Sequence, residues 1–147
     1  MTIQSKPYGE IEISERQVIN FPVGIFGFQS LHDYALLDAG QPPFYWLQSL
    51  DDNSIAFIIM NPYVLRPDYV LDIPGDDLEA IDYESDEDVL VFAIVTIPED
   101  QTQMSANLQG PVVINRVRQL GRQAISLSDV WRTKHFIMEE LSHAGNK

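Results

Sequence analysis

The chain has 147 residues, 45% of them hydrophobic and 21% charged, with no cysteine and a formal charge of −13. That length buries a core without disulfides or metal, and the missing cysteines remove thiol nucleophiles and thiolate metal sites. Acidity on this scale repels phosphate backbones and excludes a general nucleic-acid binder, and no apolar run approaches the ~18 residues of a membrane helix.

The charge is uneven. Through Gly110, 3 basic residues stand against 19 acidic ones, a balance of −16; the remainder has 6 basic and 3 acidic, a balance of +3. An acidic body of this kind has two readings, a solubilising surface or a face that attracts a basic protein. The first residues carry no apolar secretory core, so a single cytoplasmic domain is expected.

Tyr8 to Ile13 alternates, with Ile11 and Ile13 on one face and Glu10 and Glu12 on the other, which predicts a strand with one wet side. A turn follows at Ser14 to Gln17, then an extended segment from Val18 to Phe21 ending at Pro22. In VGIFGF, Gly24 and Gly27 set bends while Phe26 and Phe28 are expected to pin the loop onto the core. The G-x-x-G spacing lacks the preceding strand, third glycine and following helix of a dinucleotide loop. Ser30, with Asp33 three residues on, predicts a short capped helix through Tyr34. Ala35 to Asp38 reads as a strand. Phe44 to Leu50 and Ile55 to Met60, joined by the turn Asp51 to Ser54, read as a hairpin.

Pro62, Pro67 and Pro74 confine Asn61 to Asp77 to a sheet edge or an irregular crossing. Within it Tyr63, Arg66, Asp68 and Tyr69 form a mixture that suits recognition as well as packing. A short helix is predicted from Asp76 to Asp82, with Asp76 as cap and Glu79 completing a capping box. Val89 to Ile97 is a nearly unbroken run rich in β-branched residues, which favours a strand buried on both faces. Pro98 to Gln103 supplies a loop, the apolar chain resumes at Pro111, and the two segments pair as an antiparallel hairpin at the centre of a sheet. Gln123 to Leu127 adds a strand. From Ser128 the pattern places Val130, Ile137 and Leu141 on one stripe beside Trp131 and Met138, an amphipathic helix over 128–147.

Catalytic chemistry is not legible. His32, His135 and His143 are scattered, and the last two, eight apart, read as solvated histidines on one helix face. The pairs Asp51/Asp52, Asp76/Asp77 and Glu139/Glu140 fall in turns or helix ends, where solvation and capping account for them. No catalytic, metal or cofactor site is expected. The residues describe a mostly β, single-domain protein working through its surface; the alternative is a small barrel enzyme or ligand binder with an internal cavity.

Six stretches resemble one family. YGEIEI at Tyr8 to Ile13, FPVGIFGF at Phe21 to Phe28, FYWLQSLDD at Phe44 to Asp52, NPYVLRPDY and EDVLVFAIVTIP occur in the order found in the bacterial flagellar assembly factor FliW family. MSANLQGPVVIN at Met104 to Asn115 is the most specific motif, and together they cover about Pro7 to Leu127. Phe26, where proline is common, Gly110, where alanine is common, and the tail after Val130 depart from the pattern. The resemblance implies a compact antiparallel β-barrel-like fold without enzymatic activity. It also implies two partners: the basic RNA-binding regulator CsrA, whose repression of flagellin translation is relieved, and flagellin, which frees CsrA again. The free protein is expected to be a monomer. For the contacts, physical reasoning selects Tyr63, Arg66, Asp68 and Tyr69 as an exposed mixed patch, with Asp51 and Asp52 steering a basic partner; charge reversal at Asp51 and Asp68 is expected to slow association and leave the fold intact. Asn107 and Asn115 are expected to bond to backbone at strand ends.

Overall fold

The β-branched run of β7 (Val89–Thr96) pairs antiparallel with β8 (Ser105–Asn115), and this hairpin is the wall on which the rest of the chain is laid. The computed structural model describes residues 1–145, with side chains through Ser142. From β7 the sheet runs outward through β6 (Ala56–Met60), β5 (Phe44–Ser49), β4 (Asp33–Asp38) and β3 (Val18–Asn20) to β9 (Leu120–Gln123). Because β9 also pairs antiparallel with β8, these seven strands close into a barrel. Closure between β3 and β9 is parallel and narrow, a single register pair at Asn20 and Leu120. The Gln119 side chain reinforces it, donating to the carbonyls of Glu15 and Val18 at 2.7 Å each.

The interior is filled by Ile19, Phe21, Ile25, Tyr34, Leu47, Ile59, Phe92, Val112 and Ile114. Alternation along each strand sends the other set outward, for example Ala35 and Leu37 of β4. Strand β8 changes sides partway along. Between the pairs Phe92–Val112 and Ile94–Asn107, four residues of β8 (108–111) are set against Ala93 alone of β7, so Val112 and Ile114 point inward while Ala106 and Leu108 join an outer cluster. The Asn107 carboxamide oxygen holds the bulge by accepting from the Gln109 and Gly110 amides at 3.0 and 2.9 Å. Two layers cover the outer wall. On one side β1 (Thr2–Ser5) and β2 (Gly9–Glu12) form a hairpin that lays Ile3 and Ile13 over Ala35 and Leu37. On the other, α1 (Pro62–Leu65), Tyr69, Trp131 and α3 (Ile137–Gly145) pack on β6, β7 and β8.

Several expectations hold: the strand at Tyr8 to Ile13, both hairpins, the proline-broken crossing, and the backbone roles of Asn107 and Asn115. Others do not. No helix follows Ser30, because the Asp51 carboxylate takes the His32 and Asp33 amides at 2.7 and 3.0 Å and the chain enters β4 with Tyr34 buried. In VGIFGF the buried anchor is Ile25, with Phe28 edge-on to Phe57, while Phe26 is exposed. Helix α2 (Gly75–Glu79) starts after Pro74 with no side-chain cap, and Asp77 pairs instead with Arg122. Strand β8 begins at Ser105, six residues before Pro111. Strand β9 lies at Leu120–Gln123, not at Gln123 to Leu127, and Gly121 sits inside it because the ring of Phe21 occupies the space a Cβ would need.

The tail is the largest correction. No helix begins at Ser128: the Ser126 and Ser128 hydroxyls take the amides of Ser128 and Val130 in local turns, Trp131 turns inward, and β10 (His135–Phe136) pairs with Ser105 and Ala106 of β8 before α3 starts at Ile137. Residues 146–147 of the expected helix lie outside the described residues. His135, expected on a solvated helix face, is buried.

Candidate partner-binding groove

The crossing between β6 and β7, residues 61–88, holds ten acidic residues and one basic one, and each of its ends is fastened by local chemistry. Asn61 caps α1 by accepting from the Tyr63 amide at 2.8 Å, with Pro62 at the first helical position where no amide is needed. Leu65 and Tyr69 are buried, and the Tyr69 hydroxyl donates to the Leu108 carbonyl at 3.2 Å. Arg66 lies with its Cζ 5.1 Å above the Trp131 ring, forks onto Asp68 through Nε (2.9 Å) and Nη2 (2.8 Å), and reaches Glu140 of α3 through Nη1 (3.1 Å). At the far end Asn115 donates to the carbonyls of Ile81 and Asp82 at 2.8 and 3.2 Å.

Between these anchors the crossing stands away from the strands and leaves a groove of about 930 Å³. Its floor includes Tyr45 of β5 and Leu90 and Phe92 of β7; Tyr45 meets Phe92 edge to face, centroids 5.6 Å apart. Its rim carries Tyr63, Val64, Val70 and Tyr83, all exposed, with Asp86 as the acidic group. The Tyr83 hydroxyl donates to Asp86, and this bond pushes the Tyr83 phenol up. Burial, and then the charge of Asp86, push up the Tyr63 phenol. Both tyrosines therefore keep their protons and present donors beside an anion.

The six residues singled out by sequence part company. Tyr63 lies on the groove rim and Tyr69 borders it, but Tyr69 is 4% exposed and packs between Tyr63 and Trp131, centroids 5.5 and 4.9 Å away. It is a buttress, not part of an exposed patch, because its ring is needed to cover the outer cluster. Arg66 is held by Asp68 and Glu140, and Asp68 is exposed. Asp51 and Asp52 are exposed but carry local structure. The His32 amide and then the Asp33 amide hold the Asp51 carboxyl below the usual range; the Ser54 hydroxyl and then its amide do the same for Asp52. Charge reversal at Asp51 would remove the amide cap that shapes the entry to β4, so it reports on folding as well as on association. Sequence reasoning missed Tyr45, Val70, Tyr83 and Asp86. They are spread over 42 positions and meet only because the crossing leans over β5 and β7, a juxtaposition with no local signal.

His135 faces Glu140, Arg66 and Arg132. Its Nε2 accepts from the Arg132 amide at 2.9 Å, and Nδ1 lies 3.7 Å from the Glu140 carboxylate. Burial is the main influence and lowers its proton affinity; Glu140 opposes this, while Arg66 and Arg132 add to it. Among the described residues no group of three or more His, Cys, Asp or Glu is placed to hold a metal ion, and no helix is long and apolar enough to cross a membrane.

A family model described as FliW protein matches residues 2–137. A flagellar assembly factor FliW of Treponema denticola is 48% identical over 145 residues, covering 99% of each chain. The protein of the same description from Treponema pallidum is 44% identical over 142 residues, covering 97% of this chain and 95% of its own. A crystal structure described as that of the flagellar assembly factor FliW aligns with a TM-score of 0.86 at 33% identity, over 93% of this chain and 96% of that one. The similarity thus spans barrel, crossing and β10 alike, in sequence and in three dimensions, and the chain belongs to the FliW family of flagellar assembly factors.

Proposed function

We propose that the chain is a cytoplasmic, non-catalytic partner switch: it binds CsrA and so relieves repression of flagellin synthesis, and it binds flagellin, which returns CsrA to its RNA. The observation that carries this reading is the charge asymmetry, −16 through Gly110, concentrated most densely in the crossing that overhangs an aromatic groove. Such a surface attracts a basic protein and repels RNA beside it. The free protein is monomeric in this reading. Titration calorimetry with CsrA and with flagellin of the same organism, followed by competition at two salt concentrations, tests it. Binding of both with mutual displacement is the expected result; a folded protein that binds neither sinks the reading.

A further inference from the structure

The groove combines features that the switch reading does not itself call for. Tyr45, Tyr63 and Tyr83 are each 38–39% exposed, and Val64 and Val70 are 49% and 62% exposed, so the apolar surface is contiguous with the floor and uncovered. Contiguous apolar surface of this kind on a soluble chain marks an interaction site. The acids of the crossing are treated unequally. Asp77, Glu84 and Asp88 each have an arginine of the chain's own, Arg122, Arg118 and Arg116. Asp86, the carboxylate that lines the groove, has the Tyr83 hydroxyl and, among the described residues, no cation. A carboxylate flanked by two tyrosine rings suits a cation that also contacts aromatic faces. A small cation would use the Asp86 end alone and leave Val64 and Val70 exposed, so the complement is a segment bearing apolar groups and a positive charge together.

We propose that this groove docks a protein segment in which apolar side chains stand within one helical turn of a lysine or arginine. The apolar groups seat on Tyr45, Val64, Val70 and the exposed edge of Leu90, and the cation sits on Asp86 between Tyr63 and Tyr83. The inference deepens the reading that the chain acts by binding proteins, and it names the groove as the place and the chemistry of the segment that enters.

The probe is a labelled amphipathic peptide of leucine and lysine, about 14 residues or roughly four helical turns, with a leucine–glutamate peptide of the same pattern as its counterpart. Fluorescence anisotropy on the full chain should give saturable one-to-one binding of the lysine peptide only, with amide and side-chain shifts in the NMR spectrum centred on Tyr45, Val70 and Leu90. Asp86→Asn and Val70→Ser, both at exposed positions, should each weaken binding at least about tenfold, equivalent to 1.4 kcal/mol. Glu10→Gln, the same loss of one charge on β2, should leave it unchanged. Equal weakening by Glu10→Gln and Asp86→Asn, shifts centred elsewhere, equal binding of the glutamate peptide, or no binding at all would each overturn the groove. If both partners of the switch bind in calorimetry while the peptide does not depend on Asp86 and Val70, the groove fails and the switch stands. If neither partner binds while the peptide docks as described, the switch fails and the groove stands.

Discussion

At the scale of single residues the barrel interior has one unsatisfied polar atom among those described. Tyr34 is fully buried between Phe21 and Phe57, and its hydroxyl has no hydrogen-bond partner; burial, and then Asp51, push its phenol up to about 12. An orphaned buried hydroxyl costs about 1–3 kcal/mol, so Tyr34→Phe should stabilise the protein by about 1 kcal/mol and raise the melting temperature by roughly 3 °C. Calorimetric melting checks this, and a fall in melting temperature would show that the hydroxyl is satisfied. Gly121 is the opposite case. A methyl group there would overlap the ring of Phe21 inside a filled core, so Gly121→Ala should destabilise by about 1–3 kcal/mol in denaturant unfolding. Neither effect could be read from the neighbours in sequence. Tyr34 and Phe21 meet because β3 and β4 pair, and Gly121 meets Phe21 because β9 closes on β3.

At the scale of elements, the tail shows how tertiary contact overrides a helical pattern. Val130 and Ile137 share a stripe in sequence, yet Val130 is exposed and Ile137 is buried, because β10 re-registers the chain between them; Leu141, one turn into α3, is exposed. The element that results depends on His135, buried at the head of α3 and facing Glu140, Arg66 and Arg132. Its folded-state proton affinity is lowered, so the unfolded chain binds the additional proton on acidification. This contribution to stability is therefore complete above the ordinary histidine value of about 6.5 and declines as pH falls through it. Melting temperature followed from about pH 7.5 to about 5.5 should drop more for the native chain than for His135→Gln; parallel slopes would place the pH sensitivity elsewhere. Arg66 is the tie between α3 and the crossing. Arg66→Lys loses the fork onto Asp68 and the stacking on Trp131, and amide exchange in α3 should speed up by about tenfold with little change in the barrel strands.

At the scale of the whole molecule, the net charge of −13 acts on any charged partner at long range. Association with a basic partner should be at least about tenfold slower at 0.5 M than at 0.05 M salt, since screening shortens the Debye length from about 14 to about 4 Å. Stopped-flow rates measure this directly, and salt-independent rates would assign binding to apolar contact alone. The sequence by itself determined the class of the protein: the β-branched run of β7, the hairpins around the Asp51 and Pro98 turns, the proline-broken crossing and the acidity are all local properties, written in neighbouring residues. It also carried the family, because FPVGIFGF and MSANLQGPVVIN are contiguous strings. Only the tertiary structure decided the first strand, the burial of Tyr69 and His135, the start of α3 and the groove. Each depends on which residues the closed barrel brings together. Thr2–Ser5 is a strand because β2 pairs with it, Tyr69 is buried because Leu108 and Trp131 lie above the same wall, and Tyr45, Val70 and Asp86 face one another only across the crossing. A pattern read along the chain reports which residues alternate, whereas burial is set by what lies opposite, and that is fixed only when the seven strands have closed.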